Sequence, residues 1–273
     1  MGNVRPPISD VSVVILCGGQ GTRIREASES IPKPLIDIGG RPILWHIMKI
    51  YAYYGFKHFV LCLGYKGWEI KRYFLQYRES VSDFSLRLTP EPGVDFHNGS
   101  GDEGWEITFA ETGLNTGTGA RLRRVRNYLR GDTFLMTYGD GVGSVDVGAL
   151  LDFHRKQGRL GTLTGVHPSS RYGELAVDAP TQRVREFNEK PTVATGWVNA
   201  GYFAFEREFV DSYLDDEPDL FLEHRPLQQL ARDGQLSMYS HEGFWMGMDT
   251  YRDYLLLNQL WDSGDPPWRV WND

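Results

Sequence analysis

The stretch Val13–Gly40 constrains this chain most: an apolar run, VVILC, then GGQGTR, then IPKPLIDIGG. A continuous apolar run reads as a strand covered on both faces. The glycine-rich turn that follows, with Arg23 and Lys33 close behind, falls at the carboxyl end of that strand. In open α/β sheets, ligands bind at that end. Gly18, Gly19 and Gly21 let backbone N–H groups approach an anion, and nearby cations compensate its charge. A nucleoside triphosphate is the anion that fits such a loop best.

Two better-known phosphate loops fit poorly. A Walker A loop needs Lys-Ser/Thr after its last glycine, and Gly21 is followed by Thr22 and Arg23. A dinucleotide fingerprint needs a third glycine where Ile24 stands. Charge sharpens the reading. The net charge is −7, so a phosphate site must build its positive potential locally, and a nucleic-acid surface is disfavoured. No apolar run is long enough to cross a membrane, and MGNVRPPISD lacks the apolar segment of a signal peptide. Cys17 and Cys62 both fall in apolar strands, which suits free thiols in a reducing, cytoplasmic setting.

The remaining pattern alternates strands and helices, which predicts an α/β fold: a Rossmann-like, mixed but mostly parallel sheet flanked by helices. Strands are expected at 12–17, 58–65, 84–88, 105–111, 133–141, 160–167 and 197–205. Helices are expected at 43–54, 68–77, 119–130, 147–156, 207–214, 220–232 and 249–262, the last with Leu255, Leu256 and Leu260 facing inward. Residues 173–178 and 182–187 read as a small β excursion, and 89–104 as a loop. His46 reads as a packing residue on its helix. With no linker or repeat, 1–273 is expected to be a single domain, its part 11–140 holding the nucleotide and 141–273 the second substrate and self-association contacts.

Several residues are candidates on chemistry alone. Arg23 offers a bidentate fork for phosphate, or a surface salt bridge. Lys33 sits between Pro32 and Pro34, whose rings restrict where its side chain starts, though a lone lysine is also an ordinary surface charge. Asp140 stands in a tight GDG turn after a strand, where it can serve the turn or project into a site. Asp249 is placed at the cap of the last helix. Two distant aspartates suit Mg²⁺, which takes one or two carboxylates plus phosphate oxygens and water. Arg121 shares a basic stretch with Arg123, Arg124 and Arg126, which reads equally as a solvated face.

Taken together, LCGGQGTR, IPKPLIDIGGRPILWHIMK, LGYKGWEIKRYF, TGTGARLRRV, TYGDGV, EFNEKP, NAGYF and GFWMGMDTYRD resemble the sugar-1-phosphate nucleotidyltransferases, nearest the glucose-1-phosphate cytidylyltransferase branch. The resemblance runs from Val13 to about Trp271. It implies a GT-A-like nucleotidyltransferase fold and Mg²⁺-dependent transfer from an NTP, CTP by preference, to a sugar 1-phosphate such as glucose 1-phosphate, with pyrophosphate leaving. It implies Arg23 and Lys33 as catalytic groups on the phosphates, and Asp140 and Asp249 as metal ligands. Cys17, Gly18, Gly19, Gly21, Thr22, Thr118, Gly119 and Arg121 fall to the nucleotide. Tyr138, Gly139, Glu189, Lys190 and Asn199 fall to the sugar phosphate. It also implies a homo-oligomer, to which the aromatic tail DPPWRVWND could contribute a contact. Ala120 stands where this branch has glycine, and Met246-Gly247 departs from its pattern, so another nucleotide, or an unusual sugar or cyclitol phosphate, is the alternative. A catalytically silent nucleotide-sugar-binding relative is the alternative of another class.

Overall fold

Apolar alternation along the strands sorts the side chains onto two faces of one sheet. In the computed structural model, which describes residues 8–19, 31–97, 102–167, 174–178, 183–188 and 196–272, the first strand β1 (Ser12–Leu16) is buried throughout. Its Val13 and Ile15 enter one hydrophobic core, and Val14 and Leu16 enter the other. A strand that feeds two cores is apolar on both faces, and its one polar residue, Ser12, is paired with His58 Nδ1 at 2.9 Å.

The sheet continues through β2 (His58–Leu63), β3 (Glu106–Glu111), β4 (Thr133–Tyr138), β5 (Gly161–Val166), β6 (Val198–Glu206) and β7 (Leu236–His241). Their order is β7-β5-β6-β4-β1-β2-β3. Every pairing is parallel except those of β6, which runs antiparallel to β4 and β5. The mixed, mostly parallel sheet expected from the sequence is present.

On one face lie α1 (Ile43–Tyr53), α2 (Gly67–Leu75) and the last helix; on the other lie α3 (Thr118–Arg124) and α5 (Arg207–Tyr213). α4 (Val147–Gln157) is capped by Asp146, which accepts from the Ala149 N–H, and α6 (Arg225–Arg232) leads into β7. The closing helix α7 (Tyr251–Asp262) starts with a full capping box between Thr250 and Asp253.

Several expectations need correction. Residues 89–104 are not simply a loop: Gly93–Phe96 pairs antiparallel with Phe84–Arg87, so this segment forms a hairpin apart from the central sheet. α3 is shorter than 119–130, because Val125 leaves helical geometry and a 3₁₀ turn follows. α6 begins at Arg225 rather than 220, with Pro226 in its first turn, where proline belongs. The cap of α7 is Thr250, not Asp249. Leu255 and Leu256 are exposed, and Leu257 is the fully buried leucine of that helix. The tail turns inward: Trp268 and Trp271 are buried in the chain's own core, beside His46 and Trp45. The small β excursion is present as Glu174–Asp178 paired with Arg183–Asn188. Both cysteines are free and buried.

Candidate active site

Two short strands decide where the acids meet. Gly141–Gly143 pairs antiparallel with Trp245–Gly247, setting Gly141 opposite Gly247. Asp140 and Asp249 flank this ladder, so residues far apart in sequence become neighbours. The Met248 N–H donates to the Asp140 carbonyl at 2.8 Å. Asp253 holds the other side, accepting from the N–H groups of Asp249 at 3.1 Å and Thr250 at 2.8 Å.

Lys33 comes from a 3₁₀ turn, Lys33–Leu35, that Pro32 leads into. Its Nζ donates to Asp140 Oδ2 at 2.7 Å and to Asp249 Oδ1 at 3.0 Å. The lysine side chain is only 12% exposed, while the carboxylates are 38% and 51% exposed. Burial by itself would lower the Lys33 pKa. The charge and hydrogen bond of Asp140, with those of Asp249, more than reverse that and raise it above the ordinary lysine value. The ammonium is therefore permanently charged at neutral pH.

These three residues stand on the wall of a cavity of about 540 Å³ at the carboxyl end of β1. Cys17, Gly18 and Gly19 line one side, Asn115–Thr118 a second, and Pro218, Asp219 and Phe221 a third. Tyr138 and Gly139, at the end of β4, complete it. A second cavity of about 220 Å³ shares Tyr138, Asp140 and Asp249 with the first and adds Asn199, Gly201 and Trp245. One chamber thus adjoins another across the acids.

Arg121 is buried, at 4% exposure, beneath the glycine turn. Its five N–H groups are all used within the chain. They donate to the carbonyls of Leu63 (2.9 Å), Gly18 (3.2 Å), Leu114 (3.2 Å) and Thr116 (3.0 Å), and to Thr112 Oγ1 (2.7 Å). The guanidinium lies so close to Gly18 that a Cβ there would collide with it. This is neither a solvated face nor a free phosphate fork: the side chain fastens the first loop to the second.

The other expected nucleotide residues divide. Thr118 lines the large cavity, but its hydroxyl donates to Glu223 Oε2 at 2.7 Å and accepts from the Leu222 N–H at 2.8 Å. Gly119 does not line it; its N–H donates to the Leu220 carbonyl at 3.0 Å. Tyr138 donates to the other oxygen of Glu223, and burial together with that carboxylate raises the phenol pKa well above its usual range. Burial likewise raises the Cys17 thiol, and it pushes Cys62 up to about 12, so neither is a thiolate nucleophile. Gly21, Thr22, Arg23, Glu189 and Lys190 lie outside the described residues.

Sequence reasoning missed Pro218 and Asp219, which it left between two helices, Phe221 and Glu223, which it absorbed into a helix starting at 220, and Trp245. Pro226 was the signal available for Phe221 and Glu223, since proline in the first turn starts the helix at Arg225 and leaves 220–224 outside it. Trp245 donates to the Ala200 carbonyl at 2.8 Å, a main-chain partner that leaves no trace in the sequence.

The sequence profile of the family described as nucleotidyl transferase matches residues 12–263. A Bacillus subtilis protein named probable glucose-1-phosphate cytidylyltransferase is 43% identical over 261 residues, 96% of this chain and 100% of its own. The glucose-1-phosphate cytidylyltransferase of Salmonella typhi is 42% identical over 262 residues, again 96% and 100%. Among solved structures, the inositol-1-phosphate CTP transferase of T. maritima superposes with a TM-score of 0.64 at 16% identity, covering 93% of this chain and 96% of that one. At that identity the likeness concerns the fold.

Proposed function

The chain belongs to the nucleotidyl transferase family, and we propose that it transfers the cytidylyl group of CTP to glucose 1-phosphate, releasing pyrophosphate. The observation that carries this reading is Lys33 held between Asp140 and Asp249 where two cavities adjoin. Both reactants are anions, so the catalyst's task is charge compensation and in-line positioning rather than covalent catalysis.

The larger cavity suits the nucleotide. Gly18 and Gly19 offer main-chain donors to its phosphates, and Asn115–Thr118 with Phe221 enclose the base. The smaller cavity suits the sugar, with Asn199 and Tyr138 as polar walls and Trp245 as an apolar one. The phosphate of the second substrate then meets the nucleotide at the acids. Lys33 stabilises negative charge there, on the α-phosphate and the departing pyrophosphate. Arg23, Glu189 and Lys190 keep the roles that the motif implies, on the triphosphate, the sugar hydroxyls and the sugar phosphate.

The donor set fits a hard divalent cation. Two carboxylates from separate segments stand together with half-exposed faces on the cavity, and no cluster of three or more ligating side chains occurs among the described residues. That leaves phosphate oxygens and water to complete the shell, as Mg²⁺ prefers. Asp140 and Asp249 would hold it. Bound there, it neutralises charge on the reacting phosphates. No helix among the described residues is long and apolar enough to cross a membrane. Two phosphorylated anions do not cross a membrane unaided, which supports a cytoplasmic setting for the reaction.

A pyrophosphate-release matrix of the common NTPs against sugar and cyclitol 1-phosphates tests the reading. CTP with glucose 1-phosphate should turn over fastest. Release with no pair at all would leave a binding protein, and a different best pair would correct the substrates while leaving the chemistry.

A further inference from the structure

We propose that Lys33 is the resident counter-ion of the metal site: its single charge offsets part of the negative charge of Asp140 and Asp249 while the enzyme is free, and it yields them only when a nucleotide phosphate takes over its ammonium. The inference rests on the reading above, in which the two acids are the cation's ligands and Lys33 serves the phosphates.

The geometry is specific. One ammonium reaches both carboxylates, at 2.7 and 3.0 Å, and is itself the most buried of the three groups. Two of its three N–H donors are thereby committed. A divalent cation drawn to the same pair would meet a positive charge already within hydrogen-bonding reach of both ligands, and like charges at that spacing repel strongly wherever water is scarce. The acids cannot serve both cations fully at once.

Lys33 has somewhere to go. Its main chain is fixed by the turn that follows Pro32, with the Ile36 N–H on its own carbonyl at 3.1 Å, so release is a side-chain rotation into the cavity that it lines. Leaving the acids without another anion would strand a buried ammonium, which is costly. A phosphate in the cavity supplies that anion. Cation and nucleotide therefore assist one another's binding, and by linkage the assistance is equal in both directions. The free enzyme holds a divalent cation weakly, and departure of pyrophosphate lets Lys33 return to the acids.

The test is Mn²⁺ binding to the full-length enzyme by electron paramagnetic resonance, without nucleotide. Lys33→Met keeps the length of the side chain and removes its charge; it should bind Mn²⁺ about tenfold or more tightly than the wild type, although it turns over poorly. Lys33→Gln should move the same way, and Lys33→Arg should not. Adding Asp140→Asn to Lys33→Met should abolish the gain. Thermal unfolding confirms that each variant is folded. If Lys33→Met and Lys33→Gln bind Mn²⁺ no better than the wild type, while Asp140→Asn still weakens Mn²⁺ binding in the presence of CTP, the counter-ion role is wrong and the metal ligands stand. If Asp140→Asn changes Mn²⁺ binding under no condition, the ligand assignment itself fails.

Discussion

The guanidinium of Arg121 is committed to four main-chain carbonyls and one threonine hydroxyl, so no N–H remains for a substrate phosphate. Its work is to hold Gly18 against Leu114–Thr116, two walls of the nucleotide cavity. Arg121→Met strands buried acceptors, each costing about 1–3 kcal/mol. We expect a lower unfolding temperature and a nucleotide KM raised about tenfold or more. The decisive comparison is cytidine against CTP in equilibrium binding. A wall-holding arginine weakens both alike, whereas a phosphate contact would spare cytidine. At this scale the sequence was uneven. That Lys33, Asp140 and Asp249 share one cleft was readable from the motifs around them, IPKP, GDG and MDT, which resemble the family's, and not from their distant spacing. The task of Arg121 was not, because carbonyl acceptors look the same in every residue.

Among the elements, the start of α7 carries more than its own helix. Thr250 accepts from the Asp253 N–H at 3.2 Å, and the Asp253 carboxylate returns to Asp249 and Thr250. The cap thus fixes a proposed metal ligand. Thr250→Ala should cost about 1 kcal/mol, lowering the unfolding temperature by about 2–4 °C. Calorimetry checks that loss; the loosened Asp249 should in addition lower kcat by more than it raises the KM for CTP, which steady-state kinetics reads. Strand positions were legible because β1, β2 and β4 are apolar at nearly every place, which few other environments demand. Helix ends were not. Leu255, Leu256 and Leu257 are three adjacent leucines, and periodicity alone cannot choose which one faces inward. The ladder joining 141–143 to 245–247 is only three residues long on each side, with two glycines in one strand, too little pattern to announce itself.

The whole molecule responds to acid through His46. This histidine is fully buried in a shell of tryptophans; its Nε2–H donates to the Ile38 carbonyl at 2.9 Å, and its Nδ1 accepts from Trp268 Nε1 at 3.4 Å. The Trp268 donor requires an unprotonated Nδ1, and burial outweighs the pull of the Ile38 carbonyl toward the charged form and holds the pKa down at about 4. The unfolded chain, with a pKa near 6.5, binds the extra proton first. Stability is therefore complete above about pH 6.5 and is lost as pH falls toward 4, by about 2 kcal/mol at pH 5. Urea midpoints at pH 7.5 and 5 should differ accordingly, and His46→Gln should remove much of that difference. The overall architecture was readable because alternating strands and helices admit few arrangements. The fate of the tail was not: tryptophans suit an interface and a core equally well.

Because Trp268 and Trp271 sit against Trp45 and His46, the helix Ile43–Tyr53 is covered by side chains that stand far along the chain, 222 positions apart in the case of His46 and Trp268. Closing so long a loop comes late in folding, and until it closes that helix stays uncovered.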